Sequence, residues 1–206
     1  MEGSLVLAGH KKLIVRQIHE VAELFGFETR NKYVILSETG QQVGFAAEQQ
    51  KGFFGFLLRQ FLGHWRTYSI LFFDAERKPT IRAQHPFRLI FQRLDVFDES
   101  GKPLGAVQQR FSILSKRFDV QNAAGLTLFE VSSPIWRIWT FPFTHDGRTV
   151  ATVAKKWSGA LMELFTDKDN FMVDFSDQNL SESERKLVLA AALFIDLKYF
   201  ERKASS

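Results

Sequence analysis

The densest run of potential ligands in the 206-residue chain is Asp167-Lys168-Asp169-Asn170-Phe171-Met172-Val173-Asp174-Phe175-Ser176-Asp177-Gln178. Asp167 and Asp169 are spaced like the first two ligands of a calcium loop, with Asp174 and Asp177 as further carboxylates of a weak site. Such a loop also needs glycine at its sixth position and a bidentate acid at its twelfth. Met172 and Gln178 stand there instead. Phe171, Val173 and Phe175 alternate as strand residues do, so two readings stand: a weak calcium site, or a turn and strand with the aspartates outward.

Lys155-Lys156-Trp157 joins cations to an aromatic ring, a combination that binds phosphates or stacks bases. With 4 Trp, 3 Tyr and a net charge of only +4, an ordinary strand surface is the better expectation and nucleic acid is not an expected partner. The 5 histidines show no metal-ligand spacing. The sequence contains no nucleophile elbow, phosphate-cradling glycine loop or dinucleotide fingerprint. With 0 Cys, disulfides, thiolate chemistry and palmitoylation are excluded. No enzyme is expected.

A third pattern lies between Gly52 and Arg66. Phe54, Leu57, Leu58, Phe61, Leu62 and Trp65 fall on one face of a helix, and Gly55, Arg59, Gly63 and Arg66 on the other. Two roles fit: a lid whose apolar face packs on the rest of the domain, or an interfacial segment. In the second role Phe53, Phe54, Leu57, Phe61 and Trp65 enter the headgroup boundary, and Arg59 and Arg66 meet lipid phosphates.

These groups need a scaffold, and the turns define it. Asn, Asp and Gly punctuate alternating apolar runs at Glu38-Thr39-Gly40, Asp74 to Pro79, Asp98 to Gly101, Gln121 to Gly125 and Thr144 to Gly147. Five turns imply about ten strands, and the recurrence of Arg77, Gly101, Gly125 and Gly147 at roughly two dozen residues suggests a closed meander.

The last element is a helix. Ser181-Glu182-Ser183-Glu184 has the form of a capping box, and Leu187 to Ile195 is apolar on every side, so the helix must be surrounded. From Leu187 to Phe200 it would cover roughly 21 Å, short of the ~30 Å hydrocarbon core. Its slim middle, Ala190-Ala191-Ala192, suits a narrow lumen lined by bulky residues. The N-terminus has no signal-peptide pattern, so a cytoplasmic, peripherally membrane-associated protein is expected.

The stretches Gly26 to Tyr33, Gly44-Phe45-Ala46-Ala47-Glu48, and Lys156-Trp157-Ser158-Gly159 leading to Phe165-Thr166-Asp167-Lys168-Asp169-Asn170-Phe171 resemble the phospholipid scramblases. The resemblance runs from about Leu13 to Phe200. It implies a Tubby-like fold, mainly β: a closed antiparallel barrel of roughly twelve strands around a central C-terminal helix. Residues 1–12 and 201–206 would be tails to one domain over 13–200. It further implies binding of anionic phospholipid and calcium-promoted movement of lipids between leaflets, with the calcium segment falling on Asp167 to Gln178. The Pro-rich arm and acylated cysteine cluster of animal members are missing, which suggests a short bacterial member. The alternative is a soluble Tubby-like module that holds a protein or nucleic-acid partner and scrambles no lipid.

Overall fold

The computed structural model describes residues 5–18, 29–49, 67–137, 139–155 and 170–200. Twelve strands form one closed sheet: β1 (Lys12–Ile18), β2 (Thr29–Ser37), β3 (Gln42–Gln49), β4 (Tyr68–Asp74), β5 (Pro79–His85), β6 (Arg93–Asp98), β7 (Pro103–Arg110), β8 (Ser115–Asn122), β9 (Thr127–Pro134), β10 (Thr140–His145), β11 (Arg148–Ala154) and β12 (Phe171–Asp174). Each strand pairs antiparallel with its neighbour in sequence, and β1 closes the circle by pairing with β12. Closure leaves no edge strand to be protected.

The turns use one device repeatedly. After β2, β4, β6 and β8, the fourth turn residue (Gly40, Arg77, Gly101, Gly125) donates its amide to the carbonyl of Ser37, Asp74, Asp98 or Asn122. The side chain of that first residue accepts from the amide four positions on, as Asp98 does from Lys102 (2.9 Å) and Asn122 from Leu126 (3.0 Å). The fourth position has positive φ in all four turns, and in one of them Arg77 takes the place of glycine at φ 64°. These loops bond within themselves, so their backbone needs no external partner.

One face of every strand points inward. Leu13, Val15, Ile35, Phe72, Val96, Val120, Val131, Phe143, Val153 and Val173 are all at most 1% exposed and belong to a single apolar cluster. The axis of that cluster is helix α1 (Glu182–Ile195), in which Leu187 to Ile195 are buried without a break. Its capping box is present, Ser181 Oγ accepting from the Glu184 amide (3.3 Å) and Glu184 Oε2 from the Ser181 amide (2.7 Å). The helix tightens its fit at Gly105, where a Cβ would sit 2.0 Å from the Gln121 carbonyl oxygen and 3.1 Å from Leu187 Cδ2. The chain then continues as a π-helical segment, Asp196–Phe200.

One feature departs from the sequence reading. Residues 5–11 are not a tail: Leu5 and Leu7 are fully buried, and the amides of Leu7 and Ala8 donate to the Glu182 carboxylate, 2.8 Å each. The cause is Arg185, 1% exposed, whose guanidinium donates to the carbonyls of Leu7, His10, Gln178 and Leu180 and stacks 4.6 Å from the Phe175 ring. A buried cation in the first turns of the helix thus gathers the chain around the helix start.

Candidate functional site

An antiparallel meander puts alternate connections at opposite ends, and here the two ends differ. The tight turns after β2, β4, β6, β8 and β10 lie at one end, with the start of α1; this is the hairpin end. The connections β5–β6, β7–β8 and β9–β10 lie at the other, the rim.

The rim carries the exposed apolar surface. Phe87, Leu89, Ile90 and Phe91 stand on the first connection, Phe111, Ile113 and Leu114 on the second, and Ile135 and Trp136 on the third. Ile90, Phe111, Ile113 and Trp136 are 70% or more exposed. Among the described residues only Val6 and Leu126, at the hairpin end, are large hydrophobics of comparable exposure. The three connections are neighbours, because β5 to β10 are successive strands. Their described residues include no acid and two exposed arginines, Arg88 and Arg137. A contiguous apolar surface flanked by cations marks an interaction site.

Beneath the rim the lumen is sealed by polar groups. Asp196, at the C-cap of α1, lies 3.3 Å from Lys155 Nζ and accepts the Tyr33 hydroxyl at 2.9 Å. Asn31 donates to Glu48 (2.7 Å) and accepts from Gln17 (2.9 Å). His85 stacks on Tyr68 at 4.6 Å between ring centres.

Of the expected site residues, Lys155, Asp174 and Asp177 are described. Lys155 does not join a basic–aromatic surface: its side chain is 7% exposed, drawn in by the buried Asp196 carboxylate. Lys156 and Trp157 lie outside the described residues, as do Phe53, Phe54, Leu57, Arg59, Phe61, Trp65, Arg66, Asp167 and Asp169. Gln49 and Tyr68, the strand ends flanking the Gly52–Arg66 stretch, are both at the rim. Asp174 ends strand β12, which at ~3.3 Å per residue carries it away from the rim toward the hairpin end. There Asp174 meets Lys12 Nζ at 3.5 Å, and Asp177 accepts the Asn179 amide at 2.9 Å. Among the described residues no three histidines or acids gather to hold a metal.

At the hairpin end the pKa values of two carboxyls, Asp98 and Glu38, are lowered for local reasons. The Ser100 hydroxyl, at 2.7 Å, together with the amides of Lys102 and Ser100, holds the Asp98 carboxyl below the usual carboxylate range. Burial works against ionisation of Glu38, but amide hydrogen bonds and the charge of His10 outweigh it and lower its pKa.

Sequence reasoning missed the rim itself. The signal was there, in apolar residues filling connections such as Phe87 to Phe91 where polar loop residues are the rule. Beside strands they read as strand.

The fold and site together define a class: a helix-filled antiparallel barrel with one apolar, cation-flanked end. The scramblase family model matches residues 3–202, and the chain belongs to that family. A phospholipid scramblase family protein of Schizosaccharomyces pombe is 25% identical over 92% of this chain and 59% of its own length. Human phospholipid scramblase 2 is 28% identical over 92% of this chain and 67% of its own. The chain thus spans about three fifths to two thirds of these relatives. A protein of known X-ray structure from Arabidopsis thaliana aligns with a TM-score of 0.48 at 12% identity, covering 92% of this chain and 91% of that one.

Proposed function

We propose that this chain is a scramblase-like protein that docks rim first, peripherally and at a cytoplasmic face, on anionic phospholipid bilayers and promotes movement of lipids between leaflets without a catalytic centre. The observation that carries this reading is the rim: nine exposed large apolar side chains on three adjacent connections, with Arg88 and Arg137 and no acid among their described residues. Moving one such side chain out of water is worth about 1.5–3 kcal/mol when complete. Each cation near an anionic surface adds about 1 kcal/mol. The sum is ample for peripheral binding.

Among the described residues no helix is long and apolar enough to cross a membrane. The lumen is no lipid path either, since α1 fills it and the Lys155–Asp196 pair lies at its rim end. Lipid movement therefore proceeds through the bilayer that the rim perturbs, along the outside of the barrel. Calcium enters this scheme through Asp167 and Asp169, which precede Asn170, the residue that leads into β12 at the rim. It would bridge carboxylate and lipid phosphate and promote exchange.

The test is co-sedimentation with anionic liposomes, and dye-reported leaflet exchange recorded separately, with calcium and with chelator. Binding that falls at least tenfold in Ile113→Ser with Trp136→Ser, and exchange that rises with calcium in the unaltered chain, is the expected result. Unchanged binding would overturn the rim. Binding to neither anionic nor neutral vesicles would favour a soluble module that docks a protein through the same apolar end.

A further inference from the structure

Just below the rim, the outer wall of the barrel has a groove of about 530 Å³ whose lining includes Phe91, Arg110, Phe111, Arg117, Asp119 and Glu130. Its charges are arranged in an unusual order. Arg110 of β7 stands directly opposite Arg117 of β8, and Asp119 of β8 directly opposite Glu130 of β9. Like charges facing across a ladder repel. Each arginine is held by an acid: Arg110 bonds Asp119, and Arg117 lies 3.9 Å from Glu130. Both arginines remain about half exposed, and Glu130 more so, leaving donors and acceptors free toward solvent.

The order along the strands gives the groove a direction. Arg110 ends β7 at the rim, while Asp119 lies two residues further from the rim than Arg117, about 7 Å along β8. Phe91 and Phe111 stand on the rim side of the arginines. From the rim inward the wall thus reads aromatic, cationic, anionic. In a protein docked rim first, a phospholipid beside it presents acyl chain and glycerol, then phosphate, then its terminal group, in that same order.

We infer that this groove holds the headgroup of a single phospholipid bearing a primary ammonium, of the phosphoethanolamine kind; the inference rests on the rim-first docking proposed above. The two guanidiniums offer forked donors to the phosphate and relieve their mutual repulsion on it. The carboxylates of Asp119 and Glu130 accept from the ammonium. A choline brings charge but no N–H to donate, and a terminal glycerol brings hydroxyls but no charge, so neither offers the acid pair a charged hydrogen-bond donor. Anionic lipid draws the protein to the bilayer, and the groove selects what it handles there.

The experiment titrates the full chain with water-soluble dihexanoyl-phosphatidylethanolamine below its micelle concentration, alongside the phosphatidylcholine and phosphatidylglycerol analogues and acyl-free glycerophosphoethanolamine. The ethanolamine lipid should bind saturably and about tenfold more tightly than either analogue. Arg110→Gln with Arg117→Gln should abolish binding, and Glu130→Gln, an exposed change that leaves the fold intact, should erase the preference. Equal affinity for the three lipids, or a preference unmoved by Glu130→Gln, would overturn the site, and equal affinity for glycerophosphoethanolamine would overturn its assignment to a lipid. Ile113→Ser with Trp136→Ser separates the two proposals, since it should lose vesicles yet keep the soluble lipid. Vesicle binding without headgroup preference defeats the groove alone; headgroup preference without vesicle binding defeats the docking.

Discussion

The two ends of this barrel are made from the same strands and solve opposite problems. At the hairpin end the loops are short, satisfy their own hydrogen bonds through Ser37, Asp74, Asp98 and Asn122, and carry acids and lysines toward water. Arg185 draws residues 5–11 across the helix start, closing that end with buried hydrogen bonds. At the rim the described connections expose phenylalanine, isoleucine, leucine and tryptophan, while polar groups seal the lumen a layer below. One end is built for folding. The other leaves large apolar side chains exposed on its described connections.

That contrast can be broken from either side. Arg185→Ala at the hairpin end should have the largest effect, because it strands several buried carbonyls and frees residues 5–11. A loss of about 4 kcal/mol is expected in denaturant unfolding, while lipid affinity per folded molecule stays unchanged. Ile90→Ser, Ile113→Ser and Trp136→Ser combined should do the reverse, weakening binding to anionic liposomes about hundredfold with the unfolding midpoint nearly unmoved. The matching change at the other end, Leu126→Ser, should leave binding intact.

Smaller effects sharpen the picture. Phe54→Ser with Arg59→Glu tests whether the Gly52–Arg66 stretch, whose flanking strands end at the rim, joins the contact; a roughly tenfold loss of liposome binding is expected. Smallest is a pH effect at the hairpin end. The Asp98 pKa is depressed on folding, so its contribution is present above the unfolded carboxylate value and lost as pH falls through the lower folded value. Unfolding of Asp98→Ala should therefore differ from the parent at neutral pH and converge with it in acid.

Much of the fold was legible because its signals are local. Gly40, Gly101, Gly125 and Gly147 mark turns whose conformation needs them, and Ser181 and Glu184 cap the helix wherever it sits. The apolar girth and alanine middle of α1 placed it inside, and Leu187 to Ile195 are indeed enclosed. Long-range partners were not legible. Nothing beside Lys155 in the chain announces Asp196, and nothing beside Arg185 announces the carbonyl of Leu7. The acidic run was legible in its second half: Phe171 and Val173 alternate as strand residues do and are buried in the barrel, and Asp174 follows them to the hairpin end. The rim was hidden because loop hydrophobics beside a strand look like more strand, and only closure of the barrel shows which connections share an end.

The most direct test of the central claim uses the absence of cysteine, 0 in the chain, which allows a spin label at any one engineered site. Ile113→Cys and Leu126→Cys, labelled separately on protein bound to anionic vesicles, report collision rates with membrane-dissolved oxygen and with a water-soluble nickel chelate. The account predicts that the label at 113 is reached by oxygen and shielded from nickel, while the label at 126 shows the reverse. Two labels equally open to nickel on bound protein, or a shielded 126, would contradict it.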